Sequence, residues 1–172
     1  MKKIRTISLL FLAFLFVGTS LSAQDKANRP SPPKTAEATL ASGKVIIDYS
    51  SPAVKERVIW GDLVPYGKMW RTGANEATTI MFEEDMEVEG KTIPAGKYAL
   101  FTIPGKDEWT VVLNSEWDQW GAYNYEESKD VHRFTVKPEM NKENQERLMF
   151  NVSKDGVVSM MWEKMIVSFE IG

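Results

Sequence analysis

Apolar residues recur at every second position, in run after run along this sequence. Val45, Ile47 and Tyr49 alternate with Lys44, Ile46 and Asp48. Thr78, Ile80 and Phe82 alternate with Thr79, Met81 and Glu83, and Tyr98, Leu100 and Thr102 with Ala99, Phe101 and Ile103. The period continues through Trp109, Val111 and Leu113; His132, Phe134 and Val136; Leu148, Phe150 and Val152; Val158, Met160 and Trp162; and Val167, Phe169 and Ile171. Successive side chains of a strand point to opposite faces, so this is the pattern of half-buried β-strands. No segment sustains a long 3.6-residue period, and only 61–67 and 140–146 are candidates for short helices.

Turn residues separate the runs: Glu89-Gly90, Pro94-Ala95-Gly96, Pro104-Gly105-Lys106-Asp107 and Lys154-Asp155-Gly156. The last three runs read as a meander over 147–153, 157–162 and 165–171, with a tight turn at Glu163-Lys164. About eight or nine strands predict an all-β domain over 35–172. The expected form is a single antiparallel β-sandwich, jelly-roll or immunoglobulin/prealbumin-like, with a closed barrel as the alternative.

The start of the chain reads differently. Residues 1–23 have a basic opening (Lys2, Lys3, Arg5), an uncharged apolar run and small residues ending in Leu21-Ser22-Ala23, the pattern of a secretory signal peptide. An uncleaved N-terminal anchor is the alternative. Residues 24–34 contain Arg29-Pro30-Ser31-Pro32-Pro33 and read as an extended Pro-rich arm. Removing 23 residues from 172 leaves 149, with 18 basic against 24 acidic residues. A net charge near −6 argues against nucleic acid or anionic membrane as partner. The chain has no cysteine, which excludes a lipoprotein anchor, disulfides, thiolate metal sites and a thiol nucleophile. A single histidine excludes a three-histidine metal site. The expectation is an exported protein, periplasmic or secreted, without metal or cofactor.

Several segments carry a resemblance. They are Arg29-Pro30-Ser31-Pro32, Val45 to Pro52, Gly61 to Thr78 (with Trp70-Arg71-Thr72-Gly73-Ala74-Asn75-Glu76-Ala77-Thr78 the distinctive part), Pro94 to Pro104, and Asp118 to Tyr123. Together they resemble the exported bacterial family catalogued as domain of unknown function 2911. The resemblance covers nearly the whole chain after the leader. It implies an all-β exported protein and implies no activity.

Two segments hold the candidate site residues. In the first, Arg71 offers a planar fork of donors for a carboxylate or phosphate. Asn75 would orient a polar ligand, and Glu76 would act as a base or as an acceptor for a sugar hydroxyl. The plain alternative pairs Arg71 with Glu76 or another carboxylate, as a structural pin. In the second, Trp117, Trp120, Tyr123 and Tyr125 lie among Asp118, Gln119 and Asn124 and suggest a stacking platform with polar edges. The plain alternative has these tryptophans capping an end of the sandwich with their indole N–H groups paired. Trp109 and Trp162 fall in phase with strand cores. His132 reads as a strand-end histidine without catalytic duty, since no Gly-x-Ser-x-Gly elbow accompanies it. Glu83, Glu84, Asp85, Glu87 and Glu89 lack the glycine-containing loop of a calcium site and read as a solvated strand face.

No complete catalytic constellation emerges. The favoured expectation is a non-enzymatic envelope binding module for a small polar or carbohydrate-like ligand, or for an envelope partner. Arg71, Asn75 and Glu76 would supply polar contacts, and Trp117, Trp120 and Tyr123 the stacking surface. The alternative is a hydrolase acting on an envelope or glycan substrate, with Glu76 or Asp118 as acid/base and Arg71 binding an anionic group.

Overall fold

The computed structural model describes Lys26 and residues 28–172; the signal-peptide reading of residues 1–23 falls outside them. Among the described residues there are ten strands: β1 (Pro33–Leu40), β2 (Gly43–Ser50), β3 (Thr79–Phe82), β4 (Met86–Val88), β5 (Lys91–Ile93), β6 (Gly96–Ile103), β7 (Trp109–Asn114), β8 (Asp130–Val136), β9 (Glu139–Val152) and β10 (Val157–Glu170). Six form one antiparallel sheet in the order β1-β2-β3-β6-β7-β8, while β9 with β10 and β4 with β5 form two hairpins.

The alternating residues explain how these pieces meet. Val45, Ile47, Ile80, Phe82, Leu100, Val111 and Leu113 line one face of the sheet. They share a single core with Leu148, Phe150, Val158, Met160, Val167 and Phe169 of the long hairpin. Four tryptophans, Trp60, Trp70, Trp109 and Trp162, meet within this core at ring separations of 5.0 to 6.4 Å, four of the five contacts edge-to-face and one stacked. Trp109 and Trp162 are thus core residues, as their phase predicts. The opposite face is covered by loops. Ala99, Phe101 and Val112 pack there with Ala77 under Met69, Ala122 and Tyr125.

The structure corrects the sequence reading in four places. The sheet ends at β1 and β8, which do not pair with each other, so no barrel closes. The strand count exceeds eight or nine. One reason is that Pro33 and Lys34 already belong to β1. Another is that the acidic run contains β4, whose Met86 and Val88 are fully buried while Glu87 is exposed. The meander is instead two long strands. Glu163 does not turn the chain; it sits at φ 55° in a register irregularity and β10 continues through it. Neither short helix forms. Residues 140–146 belong to β9, where pairing of Met140 with Met165 and Gln145 with Glu163 satisfies the backbone. Residues 61–67 are turns around a bridge between Trp60 and Val64.

Candidate functional site

The strand register builds the outer face of the sheet row by row. Thr35 pairs with Asp48, Asp48 with Thr79, Thr79 with Ala99, Ala99 with Asn114 and Asn114 with Asp130. Directly paired residues point to the same side, so this row crosses the sheet from edge to edge. The loops cover its β6–β8 half and leave open a groove of about 610 Å³ over the rest. The groove floor includes Thr35, Asp48 and Thr79. Lys26, Arg29 and Lys34 reach it from the arm side, Lys97 from β6, and Glu76, Trp117, Asp118 and Gln119 from the two loops.

The first loop is held mostly by its own backbone. Trp70 N–H donates to the Thr102 carbonyl at 2.8 Å, and Thr102 N–H returns a bond of 2.9 Å. The Trp70 indole N–H donates to the Gly73 carbonyl at 3.1 Å, the Thr78 hydroxyl to the Thr72 carbonyl at 2.9 Å, and Thr78 N–H to the Arg71 carbonyl at 3.2 Å. Thr72 and Asn75 have left-handed backbones, at φ 52° and 58°. Gly73 is required by close approach, since a Cβ there would lie 3.0 Å from both the Ser50 carbonyl and the Thr78 hydroxyl. The hydrogen bonds that close this turn offset its backbone strain.

The second loop crosses the first. Ala77 N–H donates to the Gln119 carbonyl at 3.0 Å and Gly121 N–H to the Asn75 carbonyl at 3.1 Å, with Glu76 and Trp120 forming an antiparallel bridge. At its far end Asp130 accepts from Asn114 Nδ2 (2.8 Å), the Tyr125 hydroxyl (2.7 Å) and Arg133 Nη2 (2.8 Å). Burial, followed by the hydrogen bond to Asp130 and its charge, pushes the Tyr125 phenol up to about 12.

The two candidate segments therefore meet, but their six residues do not converge on one point. Glu76 and Trp117 line the groove, with Asp118 beside them. Trp120 stands next to Glu76 in the bridge, and its ring lies 5.9 Å from the Arg29 guanidinium. Asn75 is occupied by the fold, its side-chain amide donating to the Ser31 carbonyl at 3.1 Å. Arg71 and Tyr123 fall outside the groove lining.

Glu76 is not Arg71's partner. Its two carboxylate oxygens each accept from Arg29 Nη1 at 2.9 Å, and Lys26 Nζ lies 3.4 Å away. Burial alone would raise the Glu76 carboxyl, but the Arg29 hydrogen bonds, a backbone bond and the charges of Arg29 and Lys26 hold it below its ordinary value. It stays ionised at neutral pH and so is no proton donor there. Nor do Trp117 and Trp120 act as buried caps: they are 41% and 54% exposed, with Lys97 Nζ 4.8 Å from the Trp117 ring. His132 Nε2 hydrogen-bonds the Val88 carbonyl at 3.0 Å, and burial holds its pKa below the ordinary value.

The sequence profile described as "Protein of unknown function (DUF2911)" matches residues 31–171. The chain belongs to the DUF2911 family. No curated protein and no solved structure matches it.

In this DUF2911 chain, much of the distinctive Trp70–Thr78 stretch serves the turn itself, through Trp70, Thr72, Gly73, Asn75 and Thr78. The groove residues that the site reading passed over include Lys26, Arg29, Lys34, Thr35, Asp48, Thr79 and Lys97. A signal for two of them was present. Asp48 and Lys97 are charged residues out of phase with the core in otherwise apolar runs, which marks the solvent face of a strand.

Proposed function

We propose that this protein is an exported, non-enzymatic binding module whose groove takes a small polar or carbohydrate-like ligand. We read its architecture as a β-sandwich in which the β9–β10 hairpin is the second layer. The observation that carries the functional reading is Trp117. Its half-exposed indole stands on the groove wall with Lys97 beside it, while Asp118 and the Thr35–Asp48 row supply polar groups within the same space. An aromatic face flanked by a few polar groups suits a ring with apolar faces and hydroxyl edges. Glu76, bound to the arm, supports the groove's shape better than it supports acid catalysis.

The test is isothermal titration of the protein against a panel of neutral and acidic oligosaccharides, repeated with Trp117→Ala. Saturable binding that falls at least tenfold in the variant is the expected result. Absence of binding across the panel would remove this reading. Turnover of a glycan that Asp118→Asn abolishes would replace it with the hydrolase.

A further inference from the structure

We infer that the groove selects an acidic saccharide, and that Lys97 is the residue that holds the saccharide's carboxylate, with the Thr79 hydroxyl as a second donor. This rests on the reading of the groove as a saccharide site and names the class of saccharide.

Lys97 lies where the groove wall meets its floor. Its Nζ is 4.8 Å from the centre of the Trp117 ring and 3.8 Å from Asp48 Oδ2. The second distance exceeds hydrogen-bond length. Asp48 is already engaged elsewhere, since its Oδ1 accepts from the Thr35 hydroxyl at 2.8 Å. Among the described residues, no acceptor takes a hydrogen bond from the Lys97 ammonium, which carries three donors. The floor beside it adds more. Ser50 and Thr79 line the groove and are only 6% and 7% exposed. Neither hydroxyl is hydrogen-bonded to another described residue, and neither is sealed inside the fold. Thr79 pairs directly with Asp48 and lies one diagonal from Lys97, because Thr79 faces Ala99 while Met81 faces Lys97. Long side chains span that diagonal. The floor therefore offers free donors, and its carboxylate is partly satisfied by the protein.

The charge of the whole groove has the same sense. Its lining holds four basic residues against three acidic ones, although the chain after residue 23 is acidic. On the arm side, Arg29 and Lys26 share the single charge of Glu76. A local surplus of positive charge in an acidic molecule draws anions to that place. The Lys97–Trp117 contact then discriminates between sugars. A neutral ring approaching the indole competes with the ammonium for it and gives the ammonium nothing in return. A uronate ring in the same position brings a carboxylate to Nζ, and a charge-assisted hydrogen bond is the stronger partner.

The experiment is isothermal titration of the chain lacking residues 1–23 with oligogalacturonate, oligomannuronate and a hyaluronan tetrasaccharide. Each is compared with its methyl ester, which keeps the ring and removes the charge. The expected result is saturable binding of at least one acid, at least tenfold tighter than its ester and weakening as salt rises. Lys97→Met should abolish the preference so that acid and ester bind alike, and Lys97→Arg should keep it. Thr79→Val should weaken the acid at least threefold. Should Lys97→Met fail to fold, Lys97→Gln makes the same test. Trp117→Ala should weaken acid and ester together, which reports on the saccharide reading itself. An ester that binds as tightly as its acid overturns the inference and leaves that reading standing. A preference for the acid that survives in Lys97→Met overturns the role given to Lys97. Absence of binding by acids and esters alike overturns the inference, and neutral oligosaccharides then decide the reading beneath it.

Discussion

The two faces of the six-stranded sheet are covered in opposite ways. On the hairpin side, strand meets strand, and the covering residues are large and apolar, with four tryptophans in mutual contact. On the other side only Ala77, Ala99, Phe101 and Val112 form a buried apolar cluster, and their cover is two crossing loops held by backbone bonds and ion pairs. The chain has six tryptophans, and the remaining two, Trp117 and Trp120, stand half-exposed on this second side. The contrast separates what holds the molecule together from what it shows to a ligand. Every candidate binding residue lies on the side where burial contributes least.

Substitutions measure that contrast. Trp162→Ala on the hairpin side removes a side chain that is 1% exposed, at a cost of about 3–5 kcal/mol. At ~3 °C per kcal/mol for a domain of this size, thermal unfolding should show a midpoint lower by roughly 10 °C or more. A drop no larger than that of Trp117→Ala would break the comparison. Next comes Tyr125→Phe, which takes one donor from Asp130 and should cost about 1 kcal/mol. The folded phenol's pKa is raised above its ordinary 10.0 to about 12. Its stabilisation is therefore complete below pH 10 and lost as pH rises toward 12. A spectrophotometric titration in which all tyrosines ionise together near pH 10 would contradict this.

Smaller effects sharpen the picture of the loop side. Glu76→Gln releases the arm from a carboxylate that is 41% exposed, so the expected loss is below about 1 kcal/mol after solvent screening. The sign follows from the depressed pKa. The contribution is present above the ordinary value of 4.5 and disappears as pH falls through the folded value. Wild type and variant should differ at pH 7 and converge in acid; a constant difference down to pH 2 would show that the pair is not its origin. Last, Arg71→Gln should leave the midpoint within about 2 °C of wild type or raise it, because among the described residues its guanidinium has no carboxylate partner and its Nε no acceptor. A fall of 6 °C or more would make this arginine a structural pin.

Much of the hairpin side was legible. Val45, Ile80, Leu100, Val111 and Phe150 repeat with period two because one face of each strand is buried and the other is not. Legibility failed where that asymmetry disappears. Glu139 to Arg147 extend where both faces meet solvent, so β9 carries no pattern over most of its length. β1 presents only Ala36, Ala38 and Leu40 to the core, too weak a run to stand out behind its prolines. Glu163-Lys164, two charged residues between apolar runs, reads as a turn, but in the structure Glu163 takes a left-handed backbone at a register shift and pairing with β9 continues past it. The site failed for a different reason. Arg29 and Glu76 are 47 residues apart, and no local spacing announces an ion pair made by tertiary contact. Alternation did imply that Trp70 and Arg71 cannot both enter the core, and that separation is what the fold shows.

The tryptophans also divide the molecule optically. Trp60, Trp70, Trp109 and Trp162 lie close enough for their excited states to couple, whereas Trp117 and Trp120 absorb alone in contact with water and with Lys97 and Arg29. Light emitted from the core set is shielded from a dissolved quencher such as acrylamide, and that from the outer pair is not. Fluorescence that acrylamide reaches best therefore comes from Trp117 on the groove wall and from Trp120 beside Glu76. Occupancy of the groove can be followed on the unlabelled protein, with folding monitored separately by the core signal in the same cuvette.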